Sequence, residues 1–292
     1  KANERRYIRT LRSILPPIVM VDEASMVSAD IISIMLNNHK KSTFFIFMGD
    51  NFQLEPVNDK GTADNPSGYQ LLQKPDIFLS EVHRQALDSN ILRLSLDIRE
   101  GKPITVQEYP DLLVINKNQL DPTFLTWSDI NLVATNAQRA IVNNKVRKML
   151  GFEGSMPHSK EKVICLDNYW DIISDQNEFP LVNGTIGYLN KPFEDILRFG
   201  KTTKSKTCDI IRAEFTSDEE EFAIEMDKKF FLTGTPTLSW KDSCKIKGVL
   251  PQQFAYAYGI TTHKSQGQEF AKVLVQEEGF PFDREEHKKW LY

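Results

Sequence analysis

The chain has 292 residues, which exceeds the usual size of a single domain, so two or three domains are expected. Its 40% hydrophobic and 26% charged residues are ordinary for a soluble globular protein, and its net charge of −4 gives no overall basic signal. It contains no run of eighteen apolar residues and no apolar segment behind its first residues, so neither a membrane span nor a secretory signal is expected. Three widely spaced cysteines argue against a disulfide or zinc framework and fit a reduced cytosolic setting: Cys165, Cys208 and Cys244.

The first hundred residues alternate between strand and helix patterns. Two short apolar runs, Ile18–Val21 and Phe44–Met48, are bounded by polar turns, which predicts strands buried on both faces. Between them, apolar residues at helical spacing predict a helix that begins near Ser28 or Asp30. A strand, a helix and a second strand at this length predict a βαβ unit of a parallel sheet.

The following part of the chain repeats this pattern and then changes character. A second helix is predicted from about Ser89 to Arg99, ending at a domain boundary near Gly101. A strand is predicted at Ile130–Ala134, with another helix after it. From about 156 to 252, short β-like runs separated by Gly and Pro turns predict a small antiparallel module. The α/β pattern then resumes with a strand at Val273–Val275.

Two adjacent carboxylates, Asp22 and Glu23, follow the first predicted strand directly. In an open parallel sheet, ligands bind beyond the carboxyl ends of the strands. An acid at that position can hold Mg²⁺, while its neighbour positions or deprotonates an attacking water. The same two acids could instead be exposed residues that cap the next helix, and the pair alone does not decide between these interpretations.

The second predicted strand also ends in polar residues, Gly49-Asp50 followed by Gln53. A glutamine at a strand end can contact a terminal phosphate and a positioned water, and Arg84 in "SEVHRQ" supplies a fixed cation of the kind that stabilises a transferring phosphoryl group. The phosphate-binding pattern G-x-x-x-x-G-K-[ST] does not occur in the 292 residues. The one partial match, "GKT" at 200–202, lacks the first glycine and is interpreted as a surface loop.

Six segments together resemble successive motifs of superfamily 1 DNA helicases, in the 5′-to-3′ branch of the phage Dda helicase and the RecD-like enzymes. They are "VMVDEASM", "FMGDNFQLEPV", "SEVHRQALDSNILRLSLDIREGK", "NLVATNAQRAIVNNKVR", "VNGTIGYL" and "AYAYGITTHKSQGQEF". The resemblance runs from residue 18 to the end. It implies an α/β fold with two RecA-like parallel-sheet domains, the first incomplete, and a small SH3-like β module inserted in the second. The implied ranges are 1–101 for the first domain, 102–155 with 253–292 for the second, and 156–252 for the insert.

The resemblance also implies roles for individual residues. Asp22 would coordinate Mg²⁺, and Glu23 would act as the general base. Gln53 would sense the γ-phosphate of ATP, and Arg84 would contact it from the domain edge. The residues implied beside the nucleotide are Asp50, Gln53, Arg84, Gly267 and Glu269. The residues implied beside the DNA backbone are Thr135, Asn136, Thr262, His263 and Ser265, although His263 also has an interpretation as a core or capping histidine. Six aromatic residues are candidate platforms for stacked bases: Trp127, Tyr169, Trp170, Trp240, Tyr256 and Tyr258.

The function implied by the resemblance is that of an ATP-dependent DNA helicase, in which hydrolysis of Mg²⁺-bound ATP drives 5′-to-3′ movement and unwinding. Its partners would be single-stranded DNA and its junctions with duplex DNA, with replication or recombination proteins as further candidates, in the cytoplasm of a bacterial cell or a phage-infected host. The motifs do not distinguish a role in replication from one in recombination or repair. Because the phosphate-binding loop is missing, the chain is expected to be a fragment that hydrolyses ATP poorly by itself. The alternative is a non-catalytic DNA-binding or scaffolding subunit with a degenerate helicase fold.

Overall fold

The computed structural model describes residues 16–37, 43–56, 61–79, 89–199, 206–218, 220–239, 250–278 and 284–292. The chain divides into two compact units, unit 1 with residues 1–120 and 279–292, and unit 2 with residues 121–278. Arg84, Trp240, Cys244 and the "GKT" tripeptide at 200–202 lie outside the described residues. Within the described ranges, no helix has both the length and the apolar character that crossing a membrane requires.

Unit 1 begins with the predicted parallel pair of strands. Strand β1 (Ile18–Val21) is followed by a short 3-10 helix (Ala24–Met26) and helix α1 (Ala29–Asn37). Strand β2 (Phe44–Phe47) then pairs with β1 in parallel, with Ile18 opposite Phe44 and Val21 opposite Phe47. The predicted strand–helix–strand arrangement is therefore confirmed.

The burial predicted for these two strands is wrong for the described residues. Met20 is 63% exposed and Phe44 is 71% exposed, and Ile18 and Ile46 on the same face are exposed as well. The described elements that pack on the pair, such as the helix at 68–72, leave this face uncovered. An unbroken apolar run does not distinguish a strand covered on one face from a strand covered on both. For that reason the prediction of burial on both faces was wrong.

The remaining elements of this part of unit 1 are short. Helix α2 (Gly68–Leu72) is capped by Ser67, and helix α3 (Asn90–Arg99) is capped by Ser89, whose hydroxyl accepts the Leu92 N–H. The second predicted helix is thus confirmed. Strands β3 (Gln107–Tyr109) and β4 (Leu112–Val114) form an antiparallel hairpin, followed by a 3-10 helix at Lys117–Gln119.

Unit 2 opens with helix α4 (Phe124–Trp127), strand β5 (Ile130–Val133) and helix α5 (Asn136–Met149). Thr135 caps α5, because its hydroxyl accepts the Gln138 N–H at 3.1 Å. The strand and the helix lie where the sequence predicts them. Val133, Val142 and Val146 pack in a common core between them.

An antiparallel module follows. Its elements are β6 (Lys162–Cys165), β7 (Tyr169–Ile173), β8 (Pro180–Leu181), β9 (Ile186–Phe199), β10 (Lys206–Ser217), β11 (Glu220–Asp227), α6 (Lys228–Thr233) and β12 (Phe254–Tyr256). Five strands form one sheet in the order β11-β10-β9-β6-β12, and β7 pairs with β8 in a separate hairpin. All of these pairs are antiparallel, as predicted. The core includes Leu189, Phe215 and Phe254. The likeness of this module to an SH3 domain stays a prediction.

Three further elements complete unit 2 as the structure describes it: strand β13 (Gly259–Thr261), helix α7 (Thr262–Ser265) and strand β14 (Val273–Val275). Strands β13, β5 and β14 form a parallel sheet in that order. The predicted strand at Val273–Val275 is confirmed. The predicted domain ranges stay predictions, since the two units are defined by contacts alone.

The last helix, α8 (Arg284–Leu291), belongs to unit 1 and contacts α3. Lys289 on this helix donates to the Glu55 carboxylate at 2.9 Å and to the Tyr69 hydroxyl. These contacts tie the end of the chain to the segment that follows β2.

Candidate functional site

The acidic pair lies directly after β1 and is exposed. The Oδ1 atom of Asp22 accepts the backbone N–H of Glu23 at 2.9 Å. Glu23 has φ 49° and ψ 40°, which is the left-handed region that non-glycine residues rarely adopt. This conformation costs roughly 1–2 kcal/mol, so a carboxylate stands where the backbone would favour glycine. Strain of this kind at a strand end motivates a functional hypothesis.

The turn after Glu23 is fixed by close backbone contacts. The Ala24 N–H donates to the Met48 carbonyl at 2.8 Å, which joins the two strand ends. Gly68 lies against the Ala24 carbonyl, and a Cβ at Gly68 would come within 1.9 Å of that oxygen. The turn that carries the acidic pair can therefore pack against α2 only because residue 68 has no side chain.

The residues after β2 reach the same edge of the sheet. The register that pairs Val21 with Phe47 places the turn after β1 beside the turn after β2. The Ser25 hydroxyl donates to Gln53 Oε1 at 3.4 Å, so Gln53 is held next to the acidic turn. The structure thus brings Asp22, Glu23 and Gln53 to one edge, as the sequence predicts.

Asp50 already has partners within unit 1. Its carboxylate accepts the Phe52 N–H at 2.8 Å and the Tyr292 hydroxyl at 2.7 Å, and Arg99 Nη1 lies 3.8 Å away. Burial, followed by the hydrogen bond to Asp50, raises the pKa of Tyr292. The Arg99 guanidinium also lies over the rings of Phe52 and Tyr292, at 5.2 and 5.8 Å from their centroids. Asp50 therefore stabilises this cluster, and its role beside a nucleotide stays a prediction.

A magnesium ion fits the donors at this edge if a substrate supplies most of its ligands. Mg²⁺ is usually bound through one or two carboxylates together with water and substrate phosphates. Asp22 offers one exposed carboxylate at the strand end. Within the described part of the chain, no group of three or more His, Cys, Asp or Glu residues could hold a metal by itself. The donor set suits a phosphate-bound ion rather than a site built from protein alone.

The carboxyl ends of the three parallel strands of unit 2 form a second edge. Thr135 and Asn136 follow β5, while α7 with His263 follows β13 directly. Gln276 and Glu278 follow β14. We call this set of strand ends the DNA edge, after the DNA contacts that the family resemblance implies for it. The structure therefore places at this edge all five residues that the family resemblance implies beside DNA: Thr135, Asn136, Thr262, His263 and Ser265.

A carboxylate occupies part of this edge. Glu278 Oε1 accepts the backbone N–H of Ala134 at 3.1 Å, and its Oε2 accepts the Thr135 hydroxyl at 3.3 Å. These two donors lie at the N-terminus of the 14-residue helix α5, where anions are favoured. Glu278 thus fills, from within the chain, a position that suits a phosphate.

Other polar groups near the edge have no hydrogen-bond partner among the described residues. They are Thr262 Oγ1, Gln266 Oε1 and Gln276 Nε2, all buried from solvent. Buried polar atoms without partners are uncommon and each one calls for an explanation. A polar ligand at the edge is one such explanation.

Two cations at the edge, Arg139 and Lys264, were not predicted as site residues, although both belong to the helicase-like motifs. Burial lowers the pKa of Arg139, and burial followed by repulsion from Arg139 lowers the pKa of Lys264. Neither forms an ion pair with a described residue. Burial also lowers the pKa of His263, which favours its neutral imidazole. The signal that could have found the cations was the position of each basic residue within the first four residues of a helix that follows a strand.

The loop after α7 carries the two predicted nucleotide-side residues of unit 2. Gly267 has φ 74°, a left-handed conformation, and Glu269 is exposed. Between them, Gln268 Nε2 donates to the Gly184 carbonyl at 2.9 Å. The loop is thereby held against the antiparallel module, and the nucleotide role of both residues stays a prediction.

The aromatic candidates divide by exposure. Trp127 and Trp170 are 52% and 59% exposed and keep ring surface available for stacking. Tyr169 and Tyr256 pack against the module core, and the Tyr169 hydroxyl accepts the Gln253 N–H. Tyr258 packs against the core between β5 and α5.

Among the described residues, Cys165 and Cys208 are buried free thiols, and burial raises the pKa of Cys165 to about 12.

Among solved structures, Pif1 helicase from Candida albicans matches this chain with a TM-score of 0.55 at 16% sequence identity, covering 99% of this chain and 72% of that one. The chain has the fold of this helicase. The resemblance to superfamily 1 helicases is thereby confirmed at the level of an α/β, RecA-like fold.

Further comparisons are weaker. A Bacteroides Pif1 helicase in complex with ADP-AlF3 and single-stranded DNA matches with a TM-score of 0.49 and 15% identity, covering 98% of this chain and 70% of that one. Bacteroides Pif1 bound to single-stranded DNA matches with a TM-score of 0.48 at 15% identity and the same coverages. A family model described as an AAA domain matches residues 10–117, less than half of the chain. No curated protein sequence matches.

Proposed function

We propose that this chain forms motor parts of an ATP-dependent DNA helicase that moves 5′ to 3′ along single-stranded DNA. The observation that carries the proposal is the chemistry at the strand ends of a chain with a helicase fold. In unit 1, two exposed carboxylates follow β1, and Gln53 stands beside them. In unit 2, hydroxyls and two cations without described ion partners meet at the DNA edge. Ligands of parallel sheets bind at such ends.

On the nucleotide side, each residue has a role that its chemistry permits. Asp22 holds Mg²⁺, which when bound neutralises charge on the ATP phosphates. Glu23 accepts a proton from the attacking water, and Gln53 senses the γ-phosphate and contacts that water. Arg84 stabilises the negative charge that develops on the phosphoryl group. Asp50, Gly267 and Glu269 complete the predicted nucleotide set.

On the DNA side, the hydroxyls of Thr135, Thr262 and Ser265, with Asn136 and His263, contact the sugar–phosphate backbone. Arg139 and Lys264 add the positive charge that the predicted set lacks. Contacts to phosphates carry little sequence information, so the proposed binding has little sequence preference.

The salt dependence of single-stranded DNA binding tests this part. We expect the chain to bind a labelled oligothymidylate, measured by fluorescence anisotropy, with an affinity that falls steeply as salt increases. Arg139→Gln and Lys264→Gln should each reduce the slope of log K against log salt by about 0.7, the value for one phosphate contact on a single strand. The matched control is Lys229→Gln, which removes an exposed cation of α6. Equal slopes in the parent, the two edge variants and the control would exclude DNA binding at the DNA edge.

Polarity and catalysis are tested with the natural protein. With ATP and Mg²⁺, it should unwind a duplex that carries a 5′ single-stranded tail and leave one with only a 3′ tail intact. Unwinding of the 3′-tailed duplex alone would overturn the direction. DNA binding without any ATP hydrolysis would favour the scaffolding subunit instead.

A further inference from the structure

A pocket of about 400 Å³ lies in unit 2 away from the DNA edge. Its lining includes the aromatic residues Trp127, Phe152, Tyr188 and Tyr258, together with Lys160 and Lys162. Ligand sites in proteins span roughly 300–1,000 Å³, so this pocket suits a compact ligand rather than a long one.

The pocket and the DNA edge lie at opposite ends of strand β5. Ser128 and Asp129 line the pocket and precede β5, whereas Thr135 and Asn136 follow it. Side chains at the amino end of a parallel strand do not reach the carboxyl edge, because the four residues of β5 separate them by about 13 Å at 3.3 Å per residue. A ligand in this pocket is therefore distinct from DNA held at the DNA edge.

Two aromatic rings at the pocket keep about half of their surface exposed. Trp127 is 52% exposed and Tyr188 is 49% exposed. Each has a cation near its ring, with Lys272 Nζ 5.3 Å from the Trp127 centroid and Lys162 Nζ 6.0 Å from the Tyr188 centroid. Exposed aromatic faces beside lysines are suited to a planar ring that is linked to a negatively charged group.

The charges at the pocket favour an anion. Lys160 and Lys162 line it, Lys272 adjoins it, and Asp129 is the one carboxylate among its described lining residues. Asp129 Oδ2 accepts the Lys272 backbone N–H at 2.9 Å, while Lys162 Nζ donates to the Asp129 carbonyl at 2.7 Å. Burial lowers the pKa of Lys162, a shift that a bound anion would oppose.

A buried side-chain amide at the pocket indicates that the ligand carries hydrogen-bond donors. Asn131, which also lines the pocket, is only 1% exposed. Its Nδ2 donates to the carbonyls of Leu125 and Tyr258 at 3.0 and 2.9 Å, which fixes the orientation of the amide. Its Oδ1 has no partner among the described residues, and the same is true of Ser128 Oγ. A ligand with N–H groups would satisfy these atoms, which are costly when left unpaired.

We propose that this pocket binds one nucleotide unit, with its base stacked on Trp127 and its phosphate paired with Lys160 and Lys162. Nucleobases supply a planar ring with N–H donors, and the phosphate supplies the anion. The unit can come from a free mononucleotide or from a single strand outside the DNA edge, and only the second source rests on the proposed function.

Two titrations with the chain as it is test the proposal and separate the sources. Adenosine 5′-monophosphate should quench tryptophan fluorescence saturably, and a short oligoadenylate should compete with it if single strands also enter. Trp127→Ala and Lys162→Gln should each weaken nucleotide binding on the order of tenfold, measured by isothermal titration calorimetry because Trp127→Ala removes the reporting fluorophore. The matched control is Trp170→Ala, which removes a similarly exposed tryptophan from β7 and should bind like the parent.

If the mononucleotide binds and the oligonucleotide does not compete with it, the pocket binds free nucleotides. If the oligonucleotide competes, the pocket binds single strands. Lys264→Gln, at the DNA edge, should leave mononucleotide binding unchanged, so failure of the DNA edge and failure of the pocket are distinguishable. Circular dichroism of both pocket variants should match the parent chain. The proposal is overturned if mononucleotide binding is absent, or if it persists unchanged in both correctly folded pocket variants.

Discussion

Two glutamates at the strand ends occupy positions that are unusual for a carboxylate. The backbone of Glu23 has a left-handed conformation. The carboxylate of Glu278 accepts hydrogen bonds from the Ala134 N–H and the Thr135 hydroxyl at the start of α5. The sequence predicted Glu23 because it adjoins Asp22 at a strand end. It did not predict the Glu278 contact, because that contact joins residues 144 positions apart in the chain.

Removing the Glu278 charge should strengthen DNA binding. If a DNA phosphate uses the Thr135 hydroxyl and Ala134 N–H, it must displace this carboxylate and is repelled by it. A unit charge about 4 Å away is worth about 1 kcal/mol in water, so Glu278→Gln should tighten single-stranded DNA binding about fivefold at low salt. Anisotropy measures the change, with Glu277→Gln as a control for net charge. Unchanged or weaker binding by Glu278→Gln would exclude this competition.

His263 should make stability depend on pH. Burial lowers its pKa below the ordinary value of 6.5, so the unfolded chain binds more protons than the folded chain in the window just below 6.5. The stabilisation linked to neutral His263 is therefore complete above pH 6.5 and is lost as pH falls through the folded-state pKa.

Thermal unfolding of the parent and of His263→Gln checks this sign. The melting temperature of the parent should fall more between pH 7.5 and pH 5.5 than that of the variant, since glutamine does not titrate. The value of each protein at pH 7.5 serves as its reference. Equal losses in the two proteins would mean that His263 titrates normally.

At the scale of elements, periodicity predicted the two strands and the helix that open unit 1, helix α3, and strand β5 with helix α5, while short elements such as α2 and the β3–β4 hairpin and pairings between distant segments were not predicted. Arg147 on α5 is one such case. Its guanidinium contacts Glu161, just before β6, through Nε and Nη2 at 2.6 and 3.0 Å, and it donates to the carbonyls of Gly154 and Met156. It also lies 4.2 Å from the Tyr256 ring centroid. One arginine thus links α5 to the antiparallel module.

Breaking this buried pair should be costly. Glu161 is fully buried, and its removal leaves the Arg147 cation without its carboxylate, so Glu161→Ala should lower the free energy of unfolding by roughly 3–5 kcal/mol. Urea denaturation measures the loss. Glu214→Ala, which breaks the exposed contact with Lys191, is the control and should change little. A small effect of Glu161→Ala would show that the pair does not hold these elements together.

For the whole molecule, the sequence predicted an α/β fold with parallel sheets and an antiparallel module, and the match to the Candida albicans Pif1 helicase agrees at the level of the fold. The burial of β1 and β2 was not predictable, because an apolar run does not show how many faces are covered. The pocket beside β5 was not predictable either, because segments around residues 127, 160 and 188 form it together. The meeting of site residues at the strand ends could be predicted, because neighbouring parallel strands have their carboxyl ends at the same edge of the sheet.

The proposed function requires Glu23 to activate water for ATP hydrolysis coupled to DNA. The ATPase activity of the natural protein, with and without single-stranded DNA, tests this role in the parent and in Glu23→Gln. We expect the variant to bind ATP but to lose DNA-stimulated hydrolysis by a factor of roughly 10²–10⁴, the usual contribution of a general base. Undiminished turnover by Glu23→Gln would contradict it.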